Sequence, residues 1–475
     1  MNRRVAKTLL TLIPALLFAN GLAAAAAEPA GVKVPANQRF VLPNGLTIVL
    51  VPKKDVPLIA FSGFVRGGAA ADPPGKAGVA SMTAGLLDRG AGKRSAFEFA
   101  DAVEGVGGSF SAGAGAESIS FAGQFMTRDR ALMIELLADA LMRPHFDATE
   151  FANYRDREIE FIKSAKDSDP SQLVGLYGRA ALFGQHPFGR PQGGSERTLA
   201  SLTQGDVVSY HAANFGADRA TVVFAGDLDA KWMRHALTAA FGGWAKATGA
   251  LPVVKPAARA TGTRVVLVDS PGASQTYFWL GNVGVDRRYS GRPALDLVNT
   301  LYGGRFTSIL NTELRIKSGL SYGASSRFTR ASIPGEFSIR SFTQTDTTAQ
   351  AIDLTLETLE KLKHGDIAPE MLESARAYVL GQYPLAFETA ANWASTFADL
   401  EFYGLGRDYI EGYPPALAKV DLAETAAVIA DAYPRPRDLV IVLVGDAAKI
   451  REAAAKYGPV TEMKISDPDF APGAH

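Results

Sequence analysis

The chain has 475 residues, of which 47% are hydrophobic and 21% are charged. This length exceeds what one hydrophobic core usually serves, so two or more domains are expected, and the composition excludes a disordered chain. The formal net charge is zero. Because no basic stripe with interleaved aromatic residues accompanies it, nucleic acid is not an expected partner. There is no cysteine, which excludes disulfides and a lipid-modified cysteine.

Residues 1–27 are typical of a secretory signal peptide. Basic residues precede the apolar run 9–18, and the alanine tract 23–27 offers a cleavage site before Glu28. An uncleaved membrane anchor is the alternative, but Pro14 interrupts the apolar run. Cleavage predicts a mature chain that is free in the periplasm of a Gram-negative source, with no stable membrane anchor.

Each half of the remaining chain carries the same order of predicted elements. In the first half, strands are predicted over residues 40–42, 47–51, 58–65 and 117–125, and helices over 131–142 and from Asp147, where Asp147 and Glu150 form a D-x-x-E capping box. In the second half, strands are predicted over residues 264–268, 276–281 and 336–342, and helices over 347–364 and 369–383.

A helix, a turn and an apolar strand that ends in Gly-Asp then close each half. They occupy residues 206–227 in the first half and 424–446 in the second, with an offset of 219 residues between Gly226 and Gly445. A duplicated unit is therefore the better account of the chain. Strands followed by runs of helices predict two homologous α+β sandwich domains, each with a sheet covered on one face by helices.

The predicted domains are separated by a segment rich in glycine, proline and alanine. We predict a first domain over residues 28–242, a linker over 243–262, a second domain over 263–465 and a tail over 466–475.

From Pro74 the first domain reads P-G-K-A-G-V-A-S-M-T-A-G-L-L. This stretch resembles the M16 (pitrilysin-like, mitochondrial processing peptidase-like) zinc peptidases, in which a similar lead-in enters a helix that carries H-x-x-E-H. In that motif two imidazoles on one helix face hold a zinc ion beside a general base. The matching positions here are Ser81, Ala84 and Gly85, and a catalytic zinc site normally needs three protein ligands.

No other set of residues replaces the missing ligands. The resemblance places the family's distal glutamate ligand near Glu158 or Glu160, but a lone carboxylate on a highly charged helix is more often a solvated face. None of the histidines forms a pair with metal-ligand spacing; they are His145, His186, His211, His235, His364 and His475. We therefore predict no metal in this chain, and the resemblance implies that zinc is held by a partner chain.

The second domain carries F-T-S-I-L-N-T-E-L-R-I-K-S-G-L-S-Y-G-A-S-S over residues 306–326. The segment resembles the family's R/Y segment, whose Arg and Tyr reach the substrate at the zinc; the matching residues are Arg315 and Tyr322. Arg315 is expected in the last turn of an amphipathic helix, Gly319 at a chain reversal and Tyr322 at the start of a strand.

Each of these residues also has a purely structural interpretation. Arg315 can interact with the helix C-terminus, and Tyr322 can be a half-buried strand residue. Gly303 and Gly304 match the family's glycine-rich stretch and are predicted substrate contacts, although two glycines after a helix are commonly a C-cap.

Two functions fit these patterns. The first is a subunit of a heteromeric zinc metallopeptidase that positions a peptide through Arg315 and Tyr322, while a partner chain with intact H-x-x-E-H supplies zinc. The second is a non-catalytic scaffold or peptide-binding protein. Independent hydrolysis is not expected, because there is no G-x-S-x-G motif and no cysteine nucleophile.

Overall fold

The computed structural model describes residues 31–365 and 367–472. The predicted signal peptide and His475 lie outside the described residues. Across the described ranges, none of the helices combines the length and the apolar character that a membrane crossing requires.

The first half forms one mixed sheet with helices around it. Its strands are β1 (Gln38–Val41), β2 (Thr47–Pro52), β3 (Leu58–Arg66), β4 (Ser109–Ala114), β5 (Ser118–Met126) and β6 (Ala220–Gly226). Its helices are α1 (Val79–Gly85), α2 (Ala96–Glu104), α3 (Arg130–Met142), α4 (Ala148–Ser168), α5 (Val174–Phe183), α6 (Glu196–Ser201), α7 (Gln204–Asn214) and α8 (Ala230–Phe241).

The second half repeats the arrangement. Its strands are β7 (Arg264–Asp269), β8 (Gln275–Val283), β9 (Ala324–Arg330), β10 (Pro334–Gln344), β11 (Val440–Gly445) and β12 (Val460–Lys464). Its helices are α9 (Arg292–Asn299), α10 (Ile309–Asn311), α11 (Thr348–Lys363), α12 (Pro369–Gln382), α13 (Ala390–Tyr403), α14 (Asp408–Glu411), α15 (Tyr413–Lys419), α16 (Leu422–Ala432) and α17 (Ala447–Ala455).

The strand orders confirm the duplication. Sheet 1 has the order β1-β2-β6-β3-β5-β4, and sheet 2 has the order β12-β7-β11-β8-β10-β9. Five strands therefore occupy equivalent places, and the central strand of each half is parallel to one neighbour and antiparallel to the other. The outermost sixth strand differs, because β1 is antiparallel to β2 whereas β12 is parallel to β7.

A helix from the second half covers one face of sheet 1. α13 packs on β3 and β6, and its side chains Trp393 and Phe397 share a buried cluster with Phe64 of β3. The rings of Phe64 and Phe402 meet edge to face with centroids 4.9 Å apart. At the end of β3, Arg66 donates a 2.6 Å hydrogen bond to the carbonyl oxygen of Phe402. Sheet 1 is thus completed by the other half of the chain.

A helix from the first half covers sheet 2 in return. α5 packs on β8 and β11, and its contact face carries Gly175 and Gly178. The buried indole ring of Trp279 lies against Gly178, where a methyl group would overlap it. The guanidinium of Arg340 lies 2.8 Å from the position that a Cβ of Gly175 would take. Without side chains at these two positions, the helix approaches the sheet closely.

The predicted tail also crosses between the halves. Phe470 is buried, and its ring meets Tyr177 of α5 edge to face at 5.1 Å. Asp469 accepts a 2.6 Å hydrogen bond from the hydroxyl of Ser195, just before α6. Residues 466–472 therefore pack against the first half instead of extending from the second.

The predicted fold class of two homologous α+β sandwich domains is confirmed. The prediction of helices on one face of each sheet was incomplete, because the second face receives a helix from the opposite half. The predicted capping of α4 is confirmed for Asp147, which accepts from the backbone N–H groups of Thr149 and Glu150. The carboxylate of Glu150 does not close a capping box and instead lies 3.8 Å from Arg89.

The substitution Gly178→Ala tests the exchanged helix. We expect a loss of about 1–3 kcal/mol in the free energy of unfolding, because the new methyl group overlaps Trp279 in a packed core. Urea unfolding of the full chain measures it. Gly381→Ala in α12 is the matched control: this glycine faces open space, and alanine there favours the helix by about 1 kcal/mol. Equal effects of the two changes would contradict close packing at Gly178.

Candidate functional site

A buried carboxylate binds backbone N–H groups at the start of α1, the helix that carries the degenerate motif. Gly78 precedes α1 in a left-handed conformation, with φ of 98°. The buried side chain of Asp72 accepts hydrogen bonds from the N–H groups of Gly78 at 2.8 Å and Ala80 at 2.9 Å. Burial raises the pKa of Asp72 to about 7, although these two bonds and Arg190 oppose the shift. The P-G-K-A-G lead-in thus serves to place α1.

A tyrosine fills the place of a side chain at position 85. The hydroxyl and ring of Tyr154, from α4, lie where a Cβ of Gly85 would be. Two arginines hold this ring: the guanidinium of Arg89 is 5.0 Å from its centroid, and that of Arg157 is 4.8 Å away. Arg89 also donates a 2.9 Å hydrogen bond to the carbonyl oxygen of Gly85. The pocket that a ligand side chain would enter is therefore occupied.

The carboxylates near this tyrosine do not make a metal site. Burial raises the pKa of Tyr154, and the negative charge of Glu158 raises it further. Glu158 is four residues after Tyr154 on α4 and therefore shares its face of the helix. Glu160 is exposed and pairs with Lys163 at 2.7 Å, as expected of a solvated helix face.

Ser81 and Ala84 complete the degenerate positions. Ser81 is half-buried and Ala84 is buried. Neither a methyl group nor a single hydroxyl provides the nitrogen and carboxylate ligands that zinc prefers. In the part of the chain that the structure describes, no three His, Asp or Glu side chains gather closely enough to hold a metal ion. The residues at these positions do not fit a zinc ion.

The histidines within the described ranges are separate from one another, and three of them bond to backbone carbonyls. His145 bonds to Gly92, His186 to Lys255 and His211 to Leu141, at 2.8 to 3.0 Å. Because a carbonyl only accepts, the Nε2 of each ring carries the proton. His364 lies 3.5 Å from Glu360 on the surface of the second half.

One irregular helical turn precedes the R/Y segment, and a second lies within it and contains Arg315. Residues Thr300–Gly304 and Thr312–Lys317 are π-helical and flank the short helix α10. Such turns are uncommon and often occur at functional sites. Gly319 has a φ of 66°, which confirms the predicted chain reversal. Tyr322 precedes β9 instead of entering it, since the strand begins at Ala324.

Arg315 and Tyr322 are adjacent and exposed. Nη1 of Arg315 donates a 2.7 Å hydrogen bond to the carbonyl oxygen of Tyr322, and its guanidinium lies 4.9 Å from the ring of Phe306. Tyr322 is 74% exposed, and its ring stacks on Phe342 at 6.5 Å. Phe306 and Ile316 are also more than half exposed. The pair therefore lies within an aromatic and apolar surface that faces solvent.

The two glycines upstream have different surroundings. Gly303 is buried, and a Cβ there would overlap the backbone and side chain of Ser326 in β9. This contact gives Gly303 a packing role. Gly304 is exposed, with a would-be Cβ 3.0 Å from the carbonyl oxygen of Asn299. Their role as substrate contacts stays a prediction.

The sheets differ at their equivalent outer strands. β4 ends sheet 1 with β5 as its strand partner, and no other described strand pairs with its outer edge. β9 ends sheet 2, but asparagine side chains cover its edge: Asn299 donates to the carbonyl oxygen of Ser326 at 3.2 Å, and Asn311 accepts from the N–H of Ala324 at 3.3 Å. An unpaired edge can pair with an added extended chain. β4 thus offers an edge that β9 does not.

Sequence reasoning did not identify Tyr154 as the side chain that fills the degenerate site. The available signal was the position of Tyr154, one helical turn before Glu158. Glu158 lies on the helix in which the family's distal glutamate ligand was expected. The π-helical turns had no such signal, because their hydrogen-bond pattern depends on packing around residues 300–317.

Comparison with protein families gives two matches. Residues 52–194 match the family described as Insulinase (Peptidase family M16), and residues 201–379 match the Peptidase M16 inactive domain. The first match lies within the first half, and the second begins just before α7 of the first half and continues into α12 of the second. Together they span well over half of the chain.

Curated relatives carry peptidase names. An uncharacterized zinc protease of Mycobacterium bovis is 28% identical over 405 residues, which are 85% of this chain and 91% of that protein. An uncharacterized zinc protease of Bacillus subtilis is 24% identical, over 74% of this chain and 85% of the relative. The mitochondrial-processing peptidase subunit beta of Blastocladiella emersonii is 25% identical, over 50% of this chain and 51% of that subunit.

Solved structures show the same fold. A peptidase M16 inactive domain from Pseudomonas fluorescens superimposes with a TM-score of 0.80 at 22% identity, over 86% of this chain and 98% of that chain. A protease from Helicobacter pylori gives a TM-score of 0.80 at 20% identity, over 86% of this chain and 99% of that chain. At these identities the likeness concerns the fold alone.

A double substitution tests the filled pocket. We expect Gly85→Ala to lower the free energy of unfolding by about 1–3 kcal/mol, because the methyl group displaces the ring of Tyr154 from between two arginines. In a Tyr154→Ala background the same change is expected to be neutral or to stabilise by about 1 kcal/mol, since alanine favours a helix over glycine. Urea unfolding of the four proteins gives the coupling energy; additive effects would contradict this account.

Stability should depend on pH through His211. Burial lowers the pKa of His211 to about 4, below its ordinary value of 6.5. Between these values the unfolded chain binds a proton that the folded chain does not, so acid destabilises the fold, by about 2 kcal/mol at pH 5 relative to pH 7. Asp72 has the opposite effect on stability. Its pKa is raised to about 7 in the folded chain, so between its ordinary value and pH 7 the folded chain binds a proton that the unfolded chain does not, and acid stabilises the fold.

A variant separates the two groups. The stability of the native chain relative to His211→Gln should fall by about 2 kcal/mol when urea unfolding is repeated at pH 5 instead of pH 7. A difference that does not change with pH would show that His211 takes up its proton equally in both states.

Proposed function

The chain belongs to the M16 peptidase family, and from this membership we propose that it is the subunit without zinc of a two-chain M16 metallopeptidase. In this proposal a partner chain with intact H-x-x-E-H holds the zinc ion, and Arg315 and Tyr322 of this chain position the peptide. The predicted signal peptide places the pair in the periplasm. The curated relatives named as zinc proteases support a role in proteolysis.

One observation carries the proposal: the metal half of the machinery is filled, while the substrate half is open. Tyr154 occupies the space beside Gly85 and is held there by Arg89 and Arg157. Arg315 and Tyr322, in contrast, remain together at the surface with few protein contacts. Arg315 and Tyr322 form, with Phe306, an exposed cationic and aromatic surface of the kind that can contact a ligand.

The two side chains have the chemistry that peptide hydrolysis needs. The carbonyl oxygen of the scissile bond gains negative charge as the bond is attacked, and fixed donors stabilise this charge more than they stabilise the bound peptide. One Nη of Arg315 is held by the carbonyl oxygen of Tyr322, so the guanidinium is oriented while its other N–H groups stay available. The hydroxyl of Tyr322 supplies a second donor on the same surface.

The open edge of β4 supports a role in binding extended peptides. α1 packs against β4, so the edge lies beside the degenerate motif. A peptide that adds to this edge would gain backbone hydrogen bonds without contacting a metal. The edge also fits the alternative function, a non-catalytic peptide-binding or scaffold protein.

Co-purification and mutation test the proposal. We expect the native complex to contain an M16 chain with H-x-x-E-H, and the pair to hydrolyse unfolded peptides. Arg315→Ala and Tyr322→Phe should each lower kcat of the pair by about 100-fold, because each removes a donor to the developing charge. Peptide hydrolysis with purified pairs measures this.

Matched controls come from the same half of the chain. Lys317→Ala removes a cation two residues from Arg315 that pairs with Glu313, and Tyr378→Phe removes the hydroxyl of another exposed tyrosine. Neither should change kcat by more than about twofold. Unchanged hydrolysis after Arg315→Ala and Tyr322→Phe would refute the shared site, and a native complex without a zinc-binding M16 chain would favour the scaffold.

A further inference from the structure

The exchanged helix α5 leaves part of sheet 2 uncovered. α5 packs on β8 and β11, so the outer strands β9 and β10 extend beyond it on the same face. Residues of these strands alternate between the buried cluster and this face. Ser325, Arg327 and Phe342 lie on this face, and Arg340 lies at its border with α5, against Gly175. We call this uncovered area the β9–β10 floor.

An aromatic row crosses the floor and ends at the R/Y pair. The ring of Tyr277 on β8 lies 5.7 Å from Phe342 on β10, and Phe342 lies 6.5 Å from Tyr322 with the two ring planes 25° apart. Phe342 and Tyr277 are direct cross-strand partners. The floor and the proposed substrate-positioning residue thus form one continuous surface.

The floor is positively charged. Arg340 and Arg179, from α5, lie 3.2 and 3.9 Å from the buried carboxylate of Glu336, so one negative charge faces two cations. Arg327 is exposed and forms no ion pair or hydrogen bond in the described structure. Burial lowers the pKa of Arg340, Glu336 opposes this, and the charges of Arg179 and Arg327 add to the lowering. The charges of Arg179 and Arg327 therefore both act on Arg340.

Few acidic groups oppose these cations. The carboxylate of Glu336 is 3% exposed and is engaged by its two arginines. Burial raises the pKa of Tyr277, and the charge of Asp169 near this end of the aromatic row raises it further. Ser171 and Gln172 donate hydrogen bonds to the carboxylate of Asp169. Near Arg327 the floor keeps an excess of positive charge.

The duplicated half provides an internal comparison. The equivalent floor of sheet 1, beside α13, carries small or neutral side chains: Ser109, Ser111, Gly113, Ser120, Ala122 and Gln124. The same architecture therefore accommodates a neutral surface. The arginines of sheet 2 are not required by the fold, and they lie in the half that carries Arg315 and Tyr322.

We propose that the β9–β10 floor binds an acidic segment of the peptide that Arg315 and Tyr322 position. This inference rests on the proposed function and adds the substrate class: extended peptides with Asp or Glu a few residues from the bond to be cut. Arg327 and Arg340 attract the carboxylates, and Phe342 and Tyr277 contact apolar side chains between them. Charge complementarity selects this occupant.

Peptide binding by the isolated full chain tests the assignment. We expect a labelled, unstructured peptide rich in glutamate to bind about five- to tenfold more tightly than the same sequence with glutamine, as exposed charge pairs allow. The preference should largely disappear at about 0.5 M salt. Arg327→Gln should weaken binding of the glutamate peptide about two- to fivefold, and Arg327→Lys should retain most of that binding.

Lys231→Gln is the matched control, because Lys231 is an exposed cation on α8 of the other half. Thermal unfolding of each variant checks that the fold is intact. Equal binding of both peptides, binding of neither, or an equal effect of Lys231→Gln and Arg327→Gln would overturn the assignment. The hydrolysis assay on the pair does not depend on this preference, so a failure of the acidic-peptide assignment is distinguishable from a failure of the proposed function.

Discussion

The two halves of the chain are held together by helices that each half places on the sheet of the other. α13 buries Trp393 and Phe397 on sheet 1, and α5 lies against Trp279 on sheet 2. Burial of each large apolar side chain contributes roughly 1.5–3 kcal/mol. Neither sheet would have both faces covered without the opposite half, so the chain forms one structural unit. The relative placement of the degenerate motif and the R/Y segment follows from this exchange.

Duplication followed by divergence explains the division of chemistry between the halves. Both halves keep the strand order and the exchanged helix. In the first half, Gly85 of α1 stands where the family motif has a metal ligand, and Tyr154 of α4 fills the space of its side chain. The same half has an open sheet edge at β4. The second half has a covered edge at β9, two π-helical turns and the exposed pair Arg315 and Tyr322. The half whose motif-bearing helix lacks metal ligands therefore has an open strand edge, and the other half carries the exposed polar pair.

Electrostatics distinguish the two sheet faces in the same way. Arg179 reaches the floor of sheet 2 from α5 and joins Arg340 at Glu336, so a residue of the first half contributes to a surface of the second. The aromatic row from Tyr277 to Tyr322 links this charge to the R/Y pair. A peptide held in this region would meet residues from both halves, which gives the helix exchange a consequence for recognition as well as for stability.

The sequence by itself determined the duplication, the α+β class, nearly all of the strands and helices that it named, and the absence of H-x-x-E-H, because these depend on local periodicity and on residue identity. It also led to Arg315, Tyr322 and the reversal at Gly319. Tertiary structure alone decided which helix covers which sheet, that Tyr154 fills the space at Gly85, that Gly303 packs on Ser326, and that Arg179, Arg327 and Arg340 share one surface. Those contacts join residues far apart in the chain, and their geometry depends on close packing that no local pattern encodes.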